Sequence, residues 1–184
     1  MKGCEELKID ISMVERAKKG DDEAFAGLYE LIYKDMYKYA FYLLGNALDA
    51  EDVVSDTVYE MYIAINKLRK TYSFKNWAFK FLANRCKKKR GQYINKNISL
   101  DDENNVNILQ NVSCEKQSKD IDLTTDLEKA FEILDYVEKQ VVALSVFGGY
   151  KSKEISSILK IKPTTVRTKL SRALGKMKTR LETH

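Results

Sequence analysis

Tyr150 to Arg180 reads YKSKEISSILKIKPTTVRTKLSRALGKMKTR and divides near its centre into two helices. Ser152 is read as the N-cap of the first, with Ile155, Ile158 and Leu159 behind it at helical spacing. Lys160-Ile161-Lys162 makes the turn. Pro163, the single proline of the chain, suits the first position of a new helix, where the N–H it lacks would have no intrahelical partner. In this second helix Val166, Leu170, Leu174, Met177 and Leu181 form one apolar stripe. The other faces carry Thr164, Thr165, Arg167, Thr168, Lys169, Ser171, Arg172, Lys176, Lys178 and Arg180, with no acid between Pro163 and Arg180. That pattern fits a helix-turn-helix whose second helix enters a DNA major groove, with hydroxyl and guanidinium groups at base edges and later cations on phosphates. A helical hairpin with a solvated basic face would carry the same residues, so the rest of the chain has to decide.

A length of 184 residues allows one domain or two small ones. The net charge of +5 is unevenly placed: cations gather at Arg85–Arg90 and Lys162–Arg180 while the middle is acidic, which implies a polyanionic partner on particular surfaces. No apolar run approaches membrane-span length and the N-terminus lacks a signal-peptide core, so a cytoplasmic location is expected. Cys4, Cys86 and Cys114 are far apart with no CxxC, and the lone histidine is His184. A metal site, a disulfide framework or a catalytic triad is therefore not expected. No phosphate-cradling glycine loop occurs, no cofactor is expected, and nothing in the sequence supports an enzyme.

Ile11–Lys19 reads as a short helix closed by Gly20. Asp21, Asp22 and Glu23 open a long one with a core stripe of Phe25, Leu28, Tyr29, Ile32, Met36, Tyr39, Ala40 and Leu43, stopped by Gly45-Asn46. Asp49 is read as the cap of the next helix, with Asp52 in the capping-box position and Val54, Thr57, Val58, Met61 and Ile65 inward. Asp52, Asp56 and Glu60 fall at successive i, i+4 steps. Like charges so placed cost a few tenths of a kcal/mol per pair, roughly, and suggest either a cationic partner or an ordinary solvated face.

Asn66–Tyr72 has no helical stripe and reads as a loop, and Ser73 is read as the cap of a third helix. Phe74, Trp77, Ala78, Phe81 and Leu82 form its amphipathic face, opposite Lys75, Asn76, Lys80, Asn84 and Lys87, and the helix is expected to end in the basic run Arg85–Arg90. Phe79 lies off that stripe, as a stacking platform or as a second packing contact. Aromatics beside a basic ridge suit single-stranded nucleic acid. The texture from Gly91 to about Leu123 is polar and acidic, a linker, although Ile98, Leu100, Val106, Ile108, Leu109 and Val112 make it more apolar than a free linker needs. Thr125 with Glu128, and Asp135 with Glu138, read as capping boxes of two further helices, the second closed by Gly148-Gly149. The chain is expected to be all-α.

Three stretches carry a family resemblance: DAEDVVSDTVYEMY (Asp49–Tyr62), SFKNWAFKFLANRCKKKR (Ser73–Arg90) and VVALSVFGGYKSKEISSILKIKPTTVRTKLSRAL (Val141–Leu174). In this order and spacing the chain resembles the extracytoplasmic-function (ECF) group of bacterial sigma factors in the sigma-70 family. The resemblance implies two small helical domains joined by a linker: a sigma domain 2-like bundle at 11–92, an acidic linker at 93–123, and a sigma domain 4-like helix-turn-helix at 124–184. It implies that Asp49, Glu51, Asp52, Ser55, Asp56, Tyr59 and Glu60 meet core RNA polymerase, at its β′ clamp and β subunits. It implies that Lys67, Arg69, Lys70, Tyr72, Lys75, Asn76, Lys80, Asn84, Lys87 and Lys88 meet the −10 element as non-template single strand. Duplex −35 DNA would meet Thr164, Thr165, Arg167, Thr168, Lys169, Ser171, Arg172 and Lys176. An anti-sigma factor, often membrane-bound, is implied as a further partner. Departures from the family pattern are Ser55 and Asp56, where a longer polar residue and a larger acid are usual, the missing proline near Asp135, and a short loop without glycine before Phe74. The alternatives are a self-sufficient helix-turn-helix repressor or activator, which leaves the Trp77 helix and the acidic stripe unexplained, and an RNA-binding assembly protein.

Overall fold

The computed structural model describes residues 9–98 and 125–182, with side chains described for all of these except 95–98 and 125. Among the described residues there are eight α-helices, two short 3-10 turns and no strand. Helices α1 (Ile11–Lys18), α2 (Asp22–Leu44), α3 (Ala47–Ala64) and α4 (Phe74–Ile98) form one bundle. Helices α5 (Thr125–Glu132), α6 (Tyr136–Val146), α7 (Ser152–Leu159) and α8 (Pro163–Glu182) form the other.

The helix ends follow local chemistry. Asp21 accepts from the Ala24 N–H at 3.0 Å to start α2, and Gly45, at φ 69°, ends it by donating its N–H to the Phe41 carbonyl. The Asp135–Glu138 capping box of α6 forms in both directions, with N···O distances of 2.7 and 3.0 Å. Three caps differ from the sequence reading. Asn46, not Asp49, caps α3, because its side-chain oxygen reaches the Asp49 N–H at 3.0 Å and so starts the helix earlier. Lys151, not Ser152, precedes α7, and its N–H is held by the Glu154 carboxylate at 2.8 Å. Thr125 already lies inside α5. Ser73 closes a 3-10 turn, Thr71–Ser73, by donating its hydroxyl to the Lys70 carbonyl, and a second such turn covers Ile65–Lys67 in the stretch read as loop.

Helix α4 does not stop at the basic run. It continues through Gly91 to Ile98, into the stretch read as linker, and the remainder of that stretch lies outside the described residues, as do Cys4, Cys114 and His184. A glycine on a helix costs only about 1 kcal/mol against alanine, too little to end a helix that neighbours support. The inward stripe of α8 is Val166, Ala173 and Met177, with Leu170 partly buried. Leu174 and Leu181, assigned inward from spacing, are each 44% exposed.

Within the first bundle the expected stripe of α2 is buried apart from the partly exposed Tyr29. It packs on Val54, Thr57 and Met61 of α3 and on Phe74, Ala78 and Leu82 of α4. Each fully buried Leu, Met or Phe here contributes about 1.5–3 kcal/mol. The core then continues across to the second bundle, where α2 packs on α6 and α4 on α7. Phe79 is fully buried at this seam, 5.9 Å from the Tyr39 ring and 5.2 Å from the Tyr150 ring, both edge-on, so its role is packing. Tyr42 stacks on Phe147 at 4.9 Å, the Arg90 guanidinium lies 4.1 Å from the Tyr136 ring centroid, and the Gln140 amide donates to the Tyr39 hydroxyl.

Candidate nucleic-acid interface

The recognition unit is α7, its turn and α8. Ile155 and Ile158 anchor α7 in the core, Lys160 adopts the left-handed conformation at φ 57°, and the Ser156 hydroxyl donates to the Ile161 carbonyl at 2.6 Å, which fixes the turn. With Val166, Ala173 and Met177 inward, Thr164, Thr165, Arg167, Thr168, Ser171 and Arg172 all stand exposed on α8. Two cations assigned to the same surface are turned toward α6 instead: Lys169 pairs with Asp135 at 2.8 Å and Lys176 with the buried Glu138 at 2.8 Å. Burial alone would raise the Asp135 carboxyl. The Lys169 ammonium and the Glu138 N–H outweigh it and hold the carboxyl below its ordinary value. Thr164, Thr165, Thr168 and Arg172 line one shallow depression with Lys169 and Glu138, so a base edge entering there meets hydroxyls and a guanidinium over a compensated carboxylate.

The second basic surface begins in the turns before α4. Lys67, Arg69, Lys70 and Tyr72 are exposed, Tyr72 by 72%, with the Lys70 ammonium 5.9 Å from its ring centroid. The ring and the ammonium thus present an aromatic face and a positive charge on one exposed patch. Asn84, Lys87 and Lys88 are exposed along α4, and Asn76 and Lys80 are half-buried. Lys75 is placed differently. Its ammonium lies 3.1 Å from Asp35 of α2, 3.1 Å from the Gly148 carbonyl oxygen and 5.5 Å from the Tyr150 ring centroid. Trp77 and Phe81 pack edge-on at 4.8 Å, which braces the helix.

On α3, Glu51, Asp52, Ser55, Asp56 and Tyr59 are exposed, and Asp49 and Glu60 are half-buried. The acids meet cations of the chain's own α4. Lys89 lies 2.7 Å from Asp49 and 3.6 Å from Asp52, while Arg85 lies 3.1 Å from Asp56 and also bonds Glu60. Burial, with the hydrogen bond to Asp49, pushes the Tyr93 hydroxyl well up. Leu48, Tyr59, Tyr62 and Ile63 are exposed by 74, 67, 49 and 54% and make an apolar ridge beside the acids. The sequence reading includes Tyr59 alone of these. Their separations of eleven, three and one residues place them near one face of a helix, a signal present in the chain but masked by the stronger inward stripe.

The chain matches the model of Sigma-70 region 2 over residues 28–92, from within α2 to within α4, and that of Sigma-70 region 4 over residues 124–177, from α5 into α8. It belongs to the sigma-70 family as an ECF sigma factor. It is 28% identical over 153 residues to the RNA polymerase sigma factor SigV of Bacillus subtilis (strain 168), covering 80% of this chain and 85% of that one. It is 25% identical over 168 residues to the ECF RNA polymerase sigma factor SigW of the same organism, covering 86% and 89%. In fold, the sigma factor resembles CnrH, solved in complex with the cytosolic domain of CnrY, with a TM-score of 0.69 and 19% identity over 95% of this chain and 97% of that one. It also resembles the sigma factor RpoE of Bartonella quintana, solved with the anti-sigma factor NepR, with a TM-score of 0.66 and 21% identity over 86% and 96%. A sigma factor serves core RNA polymerase at promoter DNA, and this sets aside the self-sufficient repressor, which accounts for α8 but not for α3 and α4. No helix among the described residues is long and apolar enough to cross a membrane.

Proposed function

We propose that the sigma factor divides its work among three surfaces. The acids of α3 with the ridge at Leu48, Tyr59, Tyr62 and Ile63 take core polymerase: apolar area supplies affinity and exposed carboxylates steer a cationic clamp. The turns before α4 and its outer face, from Lys67 to Lys88, take the unpaired −10 strand by stacking on Tyr72 and by phosphate contacts. The exposed face of α8 takes duplex −35 DNA through Thr164, Thr165, Arg167, Thr168, Ser171 and Arg172, with Lys169 and Lys176 held on α6 as orienting cations. The first domain begins at 11 and keeps α4 whole to Ile98, past the limit of 92 read from the sequence, and the second domain is 124–184. The observation that carries this reading is the segregation of exposed groups: acids and apolar residues on α3, an aromatic with cations before α4, and hydroxyls with guanidiniums on α8.

The protein acts in the cytoplasm as a binding factor and carries out no chemistry of its own. An anti-sigma factor is a natural partner, since the structural neighbour RpoE of Bartonella quintana was solved with the anti-sigma factor NepR. The test is co-purification with core polymerase followed by promoter footprinting. Protection of both promoter elements that requires core polymerase supports the assignment. Full protection by the free chain contradicts it.

A further inference from the structure

We propose that α1 is the seat on which the two turns before α4 are set, so that a helix with no promoter contact of its own positions Tyr72 and the cations around it for the unpaired strand. The part of this that concerns the strand rests on the reading of those turns given above. Helix α1 precedes the stretch that matches Sigma-70 region 2, and none of its residues belongs to the three surfaces already assigned.

The turns do little to hold themselves. Ile65–Lys67 and Thr71–Ser73 are three residues each, and 3-10 turns make poorer hydrogen bonds than an α-helix. Neither carries a side-chain cap, and their closing bonds are local: the Leu68 N–H to the Ile65 carbonyl at 3.0 Å and the Ser73 N–H to the Lys70 carbonyl at 2.9 Å. Lys67, Arg69, Lys70 and Tyr72 are exposed, while Ile65 and Leu68 are buried. Helix α1, far earlier in the sequence, packs on both turns.

Helix α1 is itself fixed from elsewhere. Asp10 caps it by accepting from the Ser12 N–H at 2.9 Å, and the Arg16 guanidinium pairs at 2.7 Å with Asp21, the cap of α2. Met13 lies against Gly27 of α2, where an added Cβ would stand 3.4 Å from the methionine sulfur. Val14, fully enclosed, stands about 100° further round the helix than Met13, with the buried Ala17 between them. The enclosed side of α1 is thus wider than the line facing Gly27, and the remainder serves the turns. Holding the turns in place before the strand arrives removes an ordering cost from binding, so a residue with no strand contact raises affinity.

The first measurement is trypsin cleavage of the free full chain, well below its melting temperature, after Lys67, Arg69 and Lys70 relative to cleavage after Arg167. Cleavage of a folded site follows the population of its opened form. Val14→Ala raises the relative rate about tenfold, and Val54→Ala, an equal truncation on the buried face of α3, does not. Asp10→Ala removes only the cap of α1, raises the rate about threefold, and carries the test should Val14→Ala fail to fold. In holoenzyme, Val14→Ala lowers affinity for the −10 single strand about tenfold and leaves core and −35 duplex affinity unchanged. It has little further effect once Tyr72→Ala is present, because the two act through one contact. Unchanged cleavage, or an equal rise from Val54→Ala, overturns the seating. Raised cleavage with unchanged strand affinity, in a holoenzyme that Tyr72→Ala does weaken, overturns its role at the promoter. No effect of Tyr72→Ala overturns the assignment of the turns, and with it the strand half of the proposal, while the cleavage result decides the seating independently.

Discussion

The guanidinium of Arg85 on α4 lies 3.1 Å from the Asp56 carboxylate on α3, so the acidic face proposed to meet polymerase already carries a cation of the same chain. Lys89 does the same for Asp49 and Asp52. The acids therefore join α3 to α4 and still present oxygens outward, since the side chains of Asp52 and Asp56 are 72% and 63% exposed.

Reversing Asp52 and Asp56 to lysine should weaken core binding at least tenfold, an effect of about 1.4 kcal/mol or more. Exposed pairs of this kind each hold about 1 kcal/mol or less of fold stability, so the melting temperature should fall by only a few degrees. Thermal melting and polymerase affinity measured on the same variant check both halves. Wild-type affinity in a folded double variant would remove α3 from the interface.

Gly148→Ala should destabilise the fold by about 1–3 kcal/mol, the range for an overpacked site. A Cβ there would stand 2.5 Å from the Tyr150 ring and 2.8 Å from the Leu144 carbonyl oxygen, and the ring has Phe79 behind it. Urea unfolding should show the loss, and Gly175→Ala, where a Cβ meets nothing, should not.

Asp135→Asn isolates one charge, because asparagine keeps an N-cap acceptor. The Asp135 carboxyl is depressed in the folded state, so its stabilising effect is present above the unfolded value of about 3.9 and is lost as pH falls through the folded value. The stability difference between wild type and variant should be constant from about pH 6 to 8 and shrink below about pH 4. A difference independent of pH would mean that the Lys169 pair contributes nothing.

Much of this is readable from the chain. Gly45, Pro163 and the Asp135–Glu138 pair mark helix ends by chemistry that acts within four residues, and the structure uses each as expected. Asn46 and Asp49 are both good caps, and nothing local says which oxygen wins, so the start of α3 is ambiguous from sequence. Ala173 takes the inward place that spacing gave to Leu174: it is fully buried while Leu174 is 44% exposed, and position 173 lies seven residues from Val166 and four from Met177, on the same helical face. The seam has no local signature. Phe79 and Tyr150 are 71 positions apart, and only the packed structure tells that they meet. The same holds for the commitment of Lys75 to Gly148 and of Lys169 and Lys176 to α6: a basic residue on a polar face reads as a nucleic-acid contact until its partner on another helix is known.

The central claim is that two separate surfaces read two forms of promoter DNA, and holoenzyme binding to three probes tests it most directly: −35 duplex, −10 single strand and the full promoter. Arg167→Ala or Arg172→Ala should lower affinity for the −35 duplex by about 1–3 kcal/mol and leave the single strand unaffected. Tyr72→Ala should leave duplex binding intact and lower single-strand affinity by about 1–3 kcal/mol, the range for one stacked base. Equal weakening of all three probes by both sets of substitutions would contradict the division of labour between α8 and the turns before α4.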